Sequence, residues 1–365
     1  MRADRLEPLF SRHSHNPSFF EVAAATRFNG QLLDFCVPVN PYFPPADLSR
    51  RIHESLPELL KYYPDYADVH QAAIASMIGV PTENVVVANG STELITSLCR
   101  DIDGPILTPI PTFGRWIDVP QELGIPISFL PRRAKEAFHI GIDELQVAIP
   151  KTGASTVVLC NPDNPTGAAL SLETIRELME RLTPLSLFVI DESFIDFSGI
   201  ESAASLAIES SNTIVIKSLG KSLGWHGIRA GYAVANTRLA AQLRRKLPYW
   251  NVNGIASFVL KSLPDYRAEY TASFARVAAD RESMLARLSA IAGVEVYPSH
   301  ANFLYARLRQ VGSGPALRTR LLEEHGVLIR ECGNKLGANS DHLRLAVLPP
   351  PAVERLAYAL EECID

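Results

Sequence analysis

The chain has 365 residues, 47% of them hydrophobic and 21% charged, so it can bury one large or two ordinary cores and is not a disordered polymer. Its 35 basic side chains are outnumbered by 40 acidic ones, which leaves no basic excess to grip nucleic acid or an anionic bilayer. No apolar run is long enough to span a membrane, and the opening MRADRLEPLFSRHSHNPSFF lacks the apolar stretch of a signal peptide.

Residues 1–45 read as an irregular arm rich in Pro, Asn and aromatics, with one strand-like piece at Leu32–Val37. Further on, short apolar or β-branched runs recur at Val85–Ala88, Ile106–Thr108, Ile127–Leu130, Thr156–Cys160, Leu187–Ile190, Thr213–Lys217 and Tyr232–Ala235. Helix-length stretches with apolar residues three and four apart, such as Leu172–Leu182, separate most of them. Unbroken apolar runs are what strands buried on both faces require. Their alternation with helices predicts an α/β fold with a mainly parallel, doubly wound sheet. The last two runs are too close for a crossover helix, so one strand there is expected to be antiparallel.

After Pro264 the pattern changes. Tyr266–Ala292 predicts one long amphipathic helix, followed by strands at Val294–Tyr297, Asn302–Leu308, about Val327–Arg330 and Leu343–Val347, and a closing helix. The expected division is an arm over 1–45 contributing to the small domain and the substrate site, a large domain over 46–264, and a smaller α+β domain over 265–365. Five cysteines (Cys36, Cys99, Cys160, Cys332, Cys363) are widely spaced, odd in number and without a C-x-x-C pair. They read as buried thiols of a cytoplasmic protein, with no disulfide framework and no metal site.

In open α/β sheets ligands collect beyond the carboxyl ends of the strands, and polar residues punctuate that edge here. Gly90-Ser91-Thr92 opens a helix, where N–H groups and hydroxyls suit a phosphate or a plain cap. Phe113 follows the second long run, and Asn164 lies in NPDNPTG at 161–167. Asp191, at the mouth of an apolar strand, needs a cation such as a pyridinium nitrogen if buried, unless it merely caps a helix. Lys221, after Ser218 in a Gly/Ser loop, can shed part of its charge and form an imine. Arg229 can pair with a phosphate. Each feature alone also fits a surface or capping role. Together, in this order, they are the parts that hold pyridoxal 5'-phosphate.

NPDNPTG (161–167), DESFIDF (191–197) and SLGKSLGWHGIRAGY (218–232) resemble the fold-type-I pyridoxal-phosphate enzymes of the class I/II aminotransferase group. The resemblance covers nearly the whole chain. It implies that Lys221 carries the cofactor and shuttles a proton, that Asp191 holds the ring nitrogen protonated, and that Asn164 contacts the ring hydroxyl. By the same resemblance Phe113 stacks on the ring, and Gly90, Ser91, Thr92, Ser218 and Arg229 hold the phosphate. Tyr63 would reach across a homodimer interface to the neighbour's cofactor phosphate, and Arg344 would clamp the substrate α-carboxylate.

Asn40-Pro41, Tyr63-Pro64-Asp65 and Val327-Leu328-Ile329-Arg330 are similar to the branch containing histidinol-phosphate aminotransferase and threonine-phosphate decarboxylase. Phe194, the DESFIDF segment and His13-Ser14-His15-Asn16 lean towards the decarboxylase. That resemblance places His13, Asn40 and Arg330 at the substrate-phosphate end. The expected activity is a lyase that removes the α-carboxylate of a phosphorylated amino acid. The alternative is an aminotransferase passing an amino group to 2-oxoglutarate, and the same residues serve both. Trp225-His226 and Trp250-Asn251 are bulky and are expected to face the substrate pocket.

Overall fold

The computed structural model describes residues 6–11, 16–310 and 312–364. A two-residue strand, β1 (Leu33–Asp34), lies in the N-terminal segment. The apolar runs then form β2 (Val85–Ala88), β3 (Ile106–Ile110), β4 (Ile127–Pro131), β5 (Thr156–Cys160), β6 (Leu187–Asp191), β7 (Thr213–Ser218) and β8 (Gly231–Ala235). They make one seven-stranded sheet in the order β2-β8-β7-β6-β5-β3-β4. β8 runs antiparallel to both its neighbours, and the other pairings are parallel. Between Ser218 and Gly231 there is only a one-turn helix and a 3-10 turn, too little for a parallel crossover.

Alternate side chains of the sheet feed different cores. Val85 and Val87 pack with Tyr232 and Val234 on one face, and Val86 and Ala88 pack with Ile214 and Ile216 on the other. Both faces are thereby covered, which explains why these strands read as continuous apolar runs.

A second, antiparallel sheet follows, made of β9 (Val294–Tyr297), β10 (Phe303–Leu308), β12 (Arg330–Glu331) and β13 (His342–Ala346) in the order β12-β13-β10-β9. β11 (Val327–Leu328) pairs instead with β1, in parallel. The long helix Arg267–Ser289 and the closing helix Pro350–Cys363 cover this sheet with Val277, Met284, Leu288, Leu356 and Leu360. No helix of the described residues is long and apolar enough to cross a membrane.

The N-terminal segment departs from the expected irregular arm. It holds two short helices, Glu7–Ser11 and Phe19–Ala25, the second started by Ser18, whose Oγ accepts from Glu21 N. The first is held from outside: Arg318 pairs with Glu7 at 2.5 Å and covers the Phe10 ring. The strand expected over Leu32–Val37 shortens to two residues, because Asp34 Oδ1 accepts from Cys36 N and Val37 N and turns the chain. Likewise Val327–Arg330 is not one strand. It changes partner at Ile329, from β1 to β13.

Candidate active site

A cavity of about 550 Å³ opens beyond the carboxyl ends of the parallel strands, between the large sheet, the N-terminal segment and the small sheet. Its lining includes six basic side chains, Arg115, Lys221, Arg229, Arg330, Lys335 and Arg344, and no carboxylate among the described residues. Such a site is built for anions.

At one end the helix Ser91–Cys99 begins, with Gly90 before it and no side chain capping its first N–H groups. Gly90 has φ +78° and ψ 166°, a region open essentially to glycine alone. A Cβ there would stand 2.7 Å from Arg229 Nη2, so the absent side chain is what lets the guanidinium lie over the helix start. Arg229 is itself left-handed, with φ +56°, an uncommon conformation for a residue with a Cβ. Ser91, Thr92 and Ser218 complete this end of the lining.

In the middle, Asp191 is buried at the end of β6. Trp116 Nε1 donates to its Oδ2 at 2.9 Å, and Ser193 N donates to its Oδ1 at 3.1 Å. No lysine or arginine lies within ion-pair distance of it among the described residues. Asp191, Asn164, Phe113, Phe194 and Lys221 share the wall of one small void. Lys221 Nζ lies 4.9 Å from the Phe194 ring centre and 6.0 Å from that of Phe113. Burial lowers the Lys221 pKa to about 8; Arg229 and Arg344 push the same way, and Asp191 opposes them. Phe194 is in turn fixed edge-on by Phe303 at 5.0 Å.

At the other end, Arg344 on β13 is buried and held through both terminal nitrogens, while its Nε has no hydrogen-bond partner among the described residues. Its Nη1 donates to Asn164 Oδ1 at 2.7 Å, and its Nη2 donates to Asn16 Oδ1 at 3.0 Å and Cys36 O at 2.7 Å. Burial brings even this guanidinium down, to about 10. Arg330 donates to Glu331 O and, at 2.6 Å, to Asn334 Oδ1.

Not every residue singled out from the sequence converges here. Asn40 lies outside the cavity lining. Its amide donates to Ser222 O at 3.0 Å and Ser273 Oγ at 2.7 Å, while its backbone N–H donates to Lys221 O at 2.8 Å. It therefore locks the lysine loop from behind, and its amide hydrogens are spent there and not on the cavity that the expected substrate contact would use. His13 lies outside the described residues. Tyr63 is 79% exposed and stacks on Trp250 at 4.6 Å, away from the cavity of its own chain. Of the bulky pair, His226 reaches the cavity and Trp225 packs on the core beneath β8. Trp250 does not reach it.

Trp116, Lys335, Arg115 and Asn16 are among the residues at the site that were missed. Trp116 had one legible sign, since a buried indole N–H must find an acceptor. Lys335 had none.

The Aminotransferase class I and II profile matches residues 31–360. The chain belongs to that family. Among curated relatives it is 31% identical to the CMP-5'-(3-aminopropyl)phosphonate synthase of Streptomyces rubellomurinus, over 91% of this chain and 53% of that protein. It thus spans only about half the length of the first relatives it matches. An L-serine phosphate decarboxylase of Campylobacter jejuni is 28% identical over 91% of this chain and 89% of its own. A histidinol-phosphate aminotransferase of Roseiflexus castenholzii is 32% identical over 88% and 87%. The solved structure of a decarboxylase from Sulfurospirillum multivorans superposes with a TM-score of 0.87 at 27% identity, covering 96% of this chain and 93% of that one. The mainly parallel sheet flanked by helices is thus a fold shared with that structure.

Proposed function

We propose that the protein is a pyridoxal-phosphate-dependent decarboxylase of a phosphorylated amino acid. The observation that carries the reading is the distribution of charge in the cavity: Arg229 at one end, Arg330 and Arg344 at the other, and Lys221 between them, with no carboxylate in the described lining. A cofactor phosphate at the first end and a substrate with two acidic groups at the second would neutralise it.

Three features support the fit of the cofactor. An uncapped helix start faces Arg229 across the space that the missing Gly90 side chain leaves. Asp191 is a buried carboxylate without a cationic partner among the described residues. Lys221 is a buried amine with a depressed pKa. Gly90, Ser91, Thr92, Ser218 and Arg229 would hold the phosphate, Phe113 the ring face and Asp191 the ring nitrogen. Asn164 has its Oδ1 committed to Arg344, which leaves its NH₂ to donate to the ring oxygen. When bound, the cofactor supplies an electron sink for the pair released at the substrate Cα.

In this reading Arg344 grips the α-carboxylate and Arg330 the distal phosphate, and Phe113 and Phe194 keep water from Lys221. The Cα–carboxylate bond breaks, carbon dioxide leaves, and Lys221 or a water delivers a proton to Cα. The aminotransferase reading shares these residues and has a relative of comparable identity in its support. Incubating the cofactor-loaded protein with O-phosphoserine or O-phosphothreonine, with and without 2-oxoglutarate, separates them. Formation of the amino-alcohol phosphate and carbon dioxide without a keto acid is expected. A keto product formed only with 2-oxoglutarate would overturn the decarboxylase.

A homodimer, a cytoplasmic location and the division of the chain at about residues 45 and 264 belong to the same proposal. Tyr62, Tyr63, Tyr66, Tyr249 and Trp250 are exposed in the single chain, which supports an interface through which Tyr63 of the partner subunit meets the cofactor phosphate. Buried thiols at Cys36, Cys99, Cys160 and Cys332 suit a reducing compartment.

Two further outcomes follow from the geometry. Gly90→Ala forces a Cβ into Arg229 at a backbone position costing about 1–3 kcal/mol for a non-glycine residue. Affinity for pyridoxal phosphate, titrated by absorbance, should fall by roughly tenfold or more. The pH dependence comes from Lys221. Its amine is the reactive form, and a pKa lowered to about 8 means the neutral fraction grows up to about pH 8 and then levels off. The rate of cofactor uptake by the cofactor-free protein should rise about tenfold per pH unit below that point. A rate that climbs steadily to pH 10 would show an unperturbed lysine instead.

A further inference from the structure

We propose that Lys335 is a specificity residue of this cavity, its ammonium acting with the Arg330 guanidinium to bind the distal acid of the substrate and to favour a doubly charged phosphate or phosphonate over a carboxylate. The inference rests on the reading of the cavity as the site of a phosphorylated amino acid.

Lys335 follows β12 in the turn Glu331-Cys332-Gly333-Asn334-Lys335. The turn is fixed by Lys335 N donating to Cys332 O at 2.9 Å and by Ala338 N donating to Lys335 O at 3.0 Å. The residue is only 7% exposed, yet it lines the cavity alongside Arg330 and Arg344. Its ammonium has three hydrogens to place. Among the described residues the hydrogen bond it makes is a long one, 3.5 Å to Thr112 O. No carboxylate pairs with it among those residues.

The acid that acts on it electrostatically, Asp163, is already committed: it faces Arg132 at 3.6 Å and accepts from Thr112 Oγ1 at 3.0 Å and Thr166 Oγ1 at 2.7 Å. Cys332, the remaining neighbour that would favour the charged form, is a buried thiol whose own pKa is raised. Burial, then Arg330 and Arg344, hold the ammonium down to about 8. A buried cation beside two others, with donors to spare, is costly unless an anion completes it.

Arg344 is oriented by Asn164, Asn16 and Cys36 O, which suits the α-carboxylate next to Lys221. The distal acid then falls to Arg330 and Lys335. A phosphate monoester carries roughly −1.5 to −2 at pH 7 and three acceptor oxygens, enough for both cations. A carboxylate brings one charge and satisfies one of them.

The test uses the cofactor-loaded protein and two unreactive diacids, 3-phosphonopropionate and glutarate, titrated by calorimetry. The wild type should bind the phosphonate more tightly. Lys335→Met should weaken phosphonate binding by about thirtyfold and glutarate binding by less than about threefold, with the bound-cofactor absorbance unchanged. For the substrate the same variant should raise KM far more than it lowers kcat. Equal losses for both diacids, or no loss for either, would overturn the role of Lys335 while leaving the proposed activity standing. A wild type that binds neither diacid would overturn the underlying reading and this inference with it.

Discussion

Lys221→Ala is expected to lower turnover by at least about 10³-fold while leaving a folded protein. Lys221 is an ammonium buried against Phe194 and Phe113, so removing it relieves a desolvation cost and strips no partner of its only hydrogen bond. Its backbone carbonyl, which accepts from Asn40 N, is untouched by the change. The urea midpoint should therefore stay or rise while carbon dioxide release from the substrate vanishes. A variant that keeps more than a tenth of the wild-type rate would remove Lys221 from the chemistry.

Asp191→Asn should cost about 10²–10⁴ in rate for a different reason. The shape is kept, and Ser193 N still finds an oxygen, but the negative charge at the end of β6 is gone. Two consequences can be read separately. The cofactor loses the anion proposed to keep its ring nitrogen protonated, which lowers kcat. Lys221 loses the neighbour that holds its pKa up, so the pH at which cofactor uptake levels off should move below about 8. A rate loss without that pH shift would mean that the carboxylate acts only by shape. Stability should fall somewhat as well, because the acceptor of Trp116 Nε1 becomes an amide donor; a packing role alone predicts that fall without the pH shift.

The large sheet was legible because its strands are covered on both faces, so burial wrote itself into the sequence as unbroken apolar runs. The reversed strand was legible too, from the short link between β7 and β8. The N-terminal helices were not, since Glu7–Ser11 is five residues long and owes its stability to Arg318, 311 positions away. The split of Val327–Arg330 was hidden for the same reason: β11 takes its partner from the far end of the chain.

At the site, residues that directly follow strands were visible by position, and Gly90, Phe113, Asn164, Asp191 and Lys221 all stand near the cavity. Partners supplied across the fold were not. Trp116 meets Asp191 across 75 residues, and Lys335 meets Thr112 across 223. Asn40 misled in the opposite sense: an Asn-Pro pair that resembles a ligand contact spends its amide on the Ser222 carbonyl and so stiffens the lysine loop.

The cavity holds two buried lysines with pKa values brought down to about 8, and only one of them is assigned to the cofactor. Reducing the loaded protein with borohydride and mapping the modified peptide by mass spectrometry tests that assignment directly. The label should fall on Lys221, within SLGKSLGWHGIR, and should disappear in Lys221→Ala. A label on Lys335, or none on either lysine, would contradict the site described for this chain.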